Sequence, residues 1–152
     1  MKRFMAVILV LAAMCLCFVG CGKKGFDHNG SKPINGQAFN QKLSCNASEA
    51  VLEFSTPGQN ECVLEIEAKV MFVHKETGEK TIEKKNVKAD QTDNGTVDGW
   101  YTAKLEINAP EGTEISEVSY HMNIDSFKGI AIKKRAEREV FYGVFTPDGF
   151  IA

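Results

Sequence analysis

This sequence has little with which to do chemistry. Histidine occurs three times in 152 residues, as His28, His74 and His121. The G-x-S-x-G turn that presents a serine nucleophile is absent. So are the C-x-x-C and H-x-x-x-H spacings that usually hold zinc. Tryptophan occurs once, as Trp100. There is no excess of positive charge: 18 basic residues stand against 20 acidic ones, which argues against a nucleic-acid partner. The chain carries no internal repeat, no low-complexity tract and almost no helical periodicity. What it does carry is one long apolar run at its start, followed by segments in which apolar and polar residues alternate.

The apolar run spans Phe4 to Val19, preceded by Lys2 and Arg3 and followed by Gly20-Cys21 and polar Gly22-Lys23-Lys24. Its length falls between a secretory h-region of about 7–15 residues and a spanning helix of about 20. The flanks decide for an export signal. Phe18-Val19-Gly20-Cys21 resembles the lipobox of bacterial lipoprotein precursors: Leu, a small residue, Gly or Ala, then Cys. Phe18 stands where that family prefers Leu. The resemblance covers the first twenty-odd residues. It implies a signal peptide at 1–20, cleavage before Cys21, and a diacylglyceryl group on the Cys21 thiol. The alternative is an uncleaved N-terminal anchor helix. Both put the chain on a membrane, facing outward from the cytoplasm. Gly22 rather than Asp after the cysteine is compatible with outer-membrane sorting in a Gram-negative cell.

Residues 21–44 are expected to be a flexible tether. Gly22, Gly25, Gly30, Ser31, Pro33, Asn35 and Gly36 punctuate it, and such composition buries too little apolar surface to offset ordering. The folded domain is then 45–152. Without Lys2 and Arg3 the exported chain has 16 basic and 20 acidic residues, a net charge of about −4 at neutral pH. Cys15 and Cys17 leave with the signal. Cys45 and Cys62 remain, and in an exported protein they read first as a disulfide, with free buried thiols or half a metal site as alternatives.

In Cys62–His74, residues Cys62, Leu64, Ile66, Ala68, Val70 and Phe72 fall on one face of a strand. Thr77-Gly78 then predicts a hairpin into a polar edge strand over Lys80–Val87. Trp100–Asn108 places Tyr101, Ala103, Leu105 and Ile107 on one face. Ser116–Asp125 places Val118, Tyr120, Met122 and Ile124 inward. Val140, Tyr142 and Val144 predict a final strand, after a charged stretch at Lys133–Glu139 that suits a short helix. With Ala50–Ser55 as the first strand, the pattern predicts an all-β chain: an antiparallel β-sandwich of about seven strands. The spacing loosely resembles immunoglobulin-like and fibronectin-type domains. Tyr120, after a Pro-Gly turn, resembles their corner tyrosine, but the cysteine spacing and the place of Trp100 do not match antibody domains.

Four features are candidates for function. The first is the polar loop from Asp90 to Tyr101, which ends in Trp100 and Tyr101 and carries Asp98. Aromatics beside such a loop stack on sugars or anchor partners; packing of Trp100 beneath the loop is the plainer reading. The second is the set Asp90, Asp93, Asn94 and Asp98, read as calcium ligands or as a turn around Asn94-Gly95. The third is His121 with Asp125, a general base with its orienter or a solvated polar face. The fourth is the basic group Lys128, Lys133, Lys134, Arg135 and Arg138, which meets phosphates or forms a mixed-charge surface with Glu137 and Glu139.

These readings favour a lipid-anchored, non-catalytic binding or protein-interaction module of the cell envelope. Ligand contacts are expected at Asp98, Trp100 and Tyr101. No cofactor or nucleic-acid partner is expected. The partners are a membrane, through lipid on Cys21, and an envelope protein or a glycan. The alternatives are a small-ligand or glycan-binding lipoprotein, and a hydrolase using His121.

Overall fold

A computed structural model describes residues 25–34, 36–57, 62–90, 100–127 and 130–151. The strands run in chain order β1 (Phe26–Ile34), β2 (Gln37–Cys45), β3 (Glu49–Pro57), β4 (Cys62–His74), β5 (Lys80–Asp90), β6 (Trp100–Asn108), β7 (Thr113–Phe127), β8 (Ile130–Ala131), then helix α1 (Arg135–Arg138), β9 (Glu139–Thr146) and β10 (Gly149–Phe150). One antiparallel sheet has the order β1-β2-β3-β6. The other has the order β10-β9-β7-β4-β5, with β8 paired to β7. The chain is thus an all-β antiparallel sandwich. The order β2-β3-β6 against β5-β4-β7-β9 is that of the A-B-E and C′-C-F-G strands of immunoglobulin-like sandwiches.

Alternation builds the core. The predicted inner face of β4, from Cys62 to Phe72, is buried throughout. So are Val118, Tyr120, Met122 and Ile124 of β7 and Tyr101, Ala103 and Ile107 of β6. Phe39 and Leu43 of β2 and Leu52 and Phe54 of β3 meet them from the other sheet. Burying such side chains fully is worth about 1.5–3 kcal/mol each before the entropy of ordering is counted. The β4–β5 hairpin closes at Gly78, whose φ of 71° suits a residue without a Cβ. As expected, β5 is polar and lies at a sheet edge.

The expected tether does not extend to residue 44. Residues 26–34 and 37–45 pair as the β1–β2 hairpin, from Phe26↔Cys45 to Ile34↔Gln37. In β2 the buried residues are Phe39, Gln41, Leu43 and Cys45. Gln41 interrupts the apolar stripe, and it tolerates burial because the Tyr120 hydroxyl donates to its Oε1 at 2.8 Å. That bond ties β7 to β2 across the sandwich, so Tyr120 is no corner tyrosine, whose hydroxyl bonds to nearby backbone. This hairpin and the two-residue β8 and β10 supply four of the ten strands among the described residues, against about seven expected.

The expected Cys45–Cys62 disulfide is not formed, and both thiols are buried. Topology keeps them apart. The Ala47 carbonyl, two residues beyond Cys45, accepts from the Ile115 amide, and Ile115 pairs with Phe72. Cys45 therefore sits at the Phe72 end of β4, ten residues from Cys62. At about 3.3 Å per residue that is about 33 Å along the sheet. A disulfide needs Cα atoms within about 7 Å. Burial raises the Cys45 pKa to about 12 and the Cys62 pKa to about 11, so both remain thiols at neutral pH.

The final strand also faces differently from the sequence pattern. A register shift falls between Met122 and Asn123, opposite Val140. Val140 is buried, but beyond it Phe141 and Phe145 pack inward and Tyr142 points out. One extra residue reverses every later side chain. Gly143 lies beside Tyr120, and a Cβ there would stand 3.4 Å from the Tyr120 ring.

Candidate functional site

The outward face of the five-stranded sheet carries most of the chemistry among the described residues. Antiparallel pairing sets its side chains in rows. One row is Asn86–Glu67–His121–Tyr142. The next, toward Thr113, is Lys84–Lys69–Ser119–Val144. On the other side lies Lys88–Glu65–Asn123–Glu139.

His121 is at the centre of this face. Its Nδ1 lies 2.5 Å from Glu139 Oε2, and its ring stacks on Tyr142, with centroids 6.5 Å apart and planes 19° apart. Tyr142 is 68% exposed. Two depressions meet at His121. One, of about 200 Å³, is lined by Glu67, Lys69, Lys84, Asn86 and Ser119 among others. The other, of about 190 Å³, is lined by Asn123, Lys133, Arg138 and Glu139. Each is smaller than the roughly 300–1,000 Å³ of an enclosed ligand pocket, so this is a surface for stacking and hydrogen bonding rather than engulfment.

A charge network borders the site. Arg138 Nη2 donates to Asp125 Oδ1 at 2.5 Å and to Glu65 Oε2 at 3.3 Å. Lys88 Nζ lies 2.9 Å from Asp125 and 3.6 Å from Glu65. Glu65 is buried, and this pairing offsets the cost of burying its carboxylate. The hydrogen bond from Lys88 holds the Asp125 carboxyl below the usual carboxylate range, with the charges of Lys88 and Arg138 assisting. The network clips α1 to β4, β5 and β7, and so fixes where β9 begins.

The residues expected from sequence are distributed differently. Tyr101 is a core residue, 1% exposed, and cannot contact a ligand. Trp100 pairs through its backbone with Pro57, but its side chain lies outside the described residues. Asp98, Asp93 and Asn94 also lie outside them, as does Cys21. Asp90 is the last residue of β5, with its side chain outside the description. Among the described residues no group of three or more His, Cys, Asp or Glu is placed to hold a metal. His121 is oriented by Glu139, whereas Asp125 belongs to the charge network. Of the basic group, Arg138 is in that network, Lys134 pairs with Glu137 at 3.6 Å, and Lys133 lines the second depression. Lys128 and the Arg135 side chain lie outside the description.

Sequence reasoning missed Tyr142 and Glu139. In the sequence Val140, Tyr142 and Val144 alternate together, and only the register shift at Val140 turns Tyr142 to the outer face.

Among the described residues no helix is long and apolar enough to cross a membrane. Comparison of the chain with protein-family models, curated proteins and solved structures finds no match.

Proposed function

We propose that this chain is a lipid-anchored, extracytoplasmic binding module of the bacterial cell envelope, held by Cys21 and working without catalysis. The observation that carries the binding reading is the exposed Tyr142 ring stacked on His121, itself held by Glu139. A flat aromatic on a rigid sheet offers contact area at little entropic cost, as binding anchors do. The anchor reading rests on the lipobox-like segment ending at Cys21. Only Gly22 to Gly25 separate that cysteine from β1. Their reach is about 18 Å, so on this reading the sandwich works close to the membrane surface.

Two variants test the proposal separately. Cys21→Ala should abolish lipid labelling and release the protein from the membrane fraction; retention of an uncleaved, membrane-bound chain would identify an anchor helix instead. Tyr142→Ala should leave folding intact and weaken binding to envelope material by about 1–3 kcal/mol. Unchanged binding would remove the site from this face.

A hydrolytic use of His121 has one observation in its favour: Glu139 orients the ring as an acid–base pair requires. Ser119 lies two residues away on the same strand face, and no hydrogen bond joins it to His121 among the described residues. Among the described residues the face is also open, with no element over it to exclude water. Binding is therefore the better-supported reading.

A further inference from the structure

Lys69 and Lys84 are direct cross-strand partners, and both are exposed. Like charges placed opposite one another destabilise a strand pair. Elsewhere on this face the sheet avoids that arrangement: Lys88 lies opposite Glu65 and pairs with it and with Asp125. Among the described residues, neither Lys69 nor Lys84 forms an ion pair. The depression between them is also lined by Glu67, Ala68, Asn86, Ser119, His121 and Lys85, whose ammonium pairs with Glu83 at 2.8 Å. Ser119 is the other cross-strand partner of Lys69, and the row beside it ends in the His121–Tyr142 stack. Besides Lys85 with its Glu83 partner, two lysines that form no ion pair among the described residues, a hydroxyl, an amide, a carboxylate and an aromatic plane therefore share one surface.

We infer that this face binds a saccharide bearing an anionic group, either a phosphate or a carboxylate. The anion sits between the two ammonium groups, where it relieves their repulsion, and Ser119 Oγ donates to it. Glu67 and Asn86 meet ring hydroxyls, which both donate and accept. Glu67 also disfavours a bare anion, because it offsets part of the lysine charge. A sugar ring stacks on Tyr142. Tyr142 lies two strands from Lys69, about 10 Å at the spacing of paired strands. One sugar ring does not cover that distance, whereas a disaccharide does. The ligand is thus at least two rings long, with its charge at one end.

The inference rests on the outward sheet face being the binding face, and its test does not depend on where the protein is located. The full-length chain, as isolated from cells in detergent micelles, is titrated by calorimetry and amide NMR. The probes are a hyaluronan disaccharide, which carries a carboxylate, and lactose 1-phosphate. Chitobiose and inorganic phosphate supply the ring and the anion alone. At least one charged disaccharide should bind in the millimolar range or tighter and shift the amides of residues 67–69, 84–86, 119–121 and 142. It should bind at least tenfold more tightly than chitobiose or phosphate. The preferred probe tells carboxylate from phosphate. Lys69→Gln and Lys84→Gln should each weaken binding at least tenfold, and Tyr142→Ala similarly. Lys84→Glu should raise the melting temperature by removing the opposed charges while abolishing binding.

Equal binding of inorganic phosphate would leave a simple anion site and overturn the saccharide. Equal binding of chitobiose would overturn the role of the lysines. No shift with either charged disaccharide would overturn the ligand class. If envelope binding still depended on Tyr142 in that case, the face itself would stand. If the charged disaccharides bound but envelope binding did not depend on Tyr142, the ligand class would stand and the envelope role would fall.

Discussion

Single side chains account for the largest departures from expectation. Cys45 and Cys62 read as a pair in an exported chain, yet they occupy opposite ends of the sandwich as inert thiols. Their sequence separation of 17 residues hides a full traverse of β3, which no spacing rule reveals. Their folded pKa values lie above the ordinary value, so they add stability below an unfolded pKa near 9.0, and this is lost as pH rises toward 11 and 12. Tyr120, raised to about 12 by burial, acts in the same direction. Chemical denaturation should therefore show stability falling from about pH 9 upward, and a Cys45→Ala/Cys62→Ala double variant should flatten that fall. A native protein in which both thiols alkylate rapidly at pH 8 would contradict their burial. At the acid end Asp125, its pKa held down, contributes stability above its unfolded pKa that is lost as pH drops through its folded pKa. Arg138→Ala should cost about 1–3 kcal/mol by urea denaturation, because it leaves buried Glu65 with only the more distant Lys88.

At the scale of elements, legibility followed the regularity of alternation. The inner faces of β4 and β7 read correctly because apolar residues recur without a break through Cys62–Phe72 and Val118–Ile124. β2 was missed because Gln41 interrupts its stripe, and its burial makes sense only with Tyr120 on the facing sheet. β1 was missed because it is an edge strand that buries no residue fully, with Pro33 and Gly30 in its sequence. β9 was recognised but turned over, because one bulged residue leaves no mark in the pattern. The site suffered most from this. Its aromatic, Tyr142, stands in the sequence only as one residue of an alternating strand, while Tyr101, expected at the ligand, is core. Deleting Val140, the extra residue, should remove the bulge and keep Glu139 and Tyr142 outward with Phe141 and Phe145 inward, leaving a folded protein that has lost one buried side chain. A deletion variant in which Tyr142 turns inward, or that unfolds or aggregates, would contradict this reading of β9. Phe145→Ala, which empties a fully buried ring site, should cost about 3–5 kcal/mol.

For the whole molecule, three features combine into one account. The proposed lipid anchor is at Cys21, the β1–β2 hairpin begins five residues after that cysteine, and the five-stranded sheet presents a polar face centred on His121 and Tyr142. The most direct test places a photo-activated cross-linking residue at Tyr142 in the full-length chain in living cells, with the same residue at Lys104 on the opposite sheet as control. The account predicts membrane-fraction adducts with envelope material from position 142 and none from position 104. Equal labelling from both positions, or none from 142 in a folded, membrane-bound protein, would contradict it.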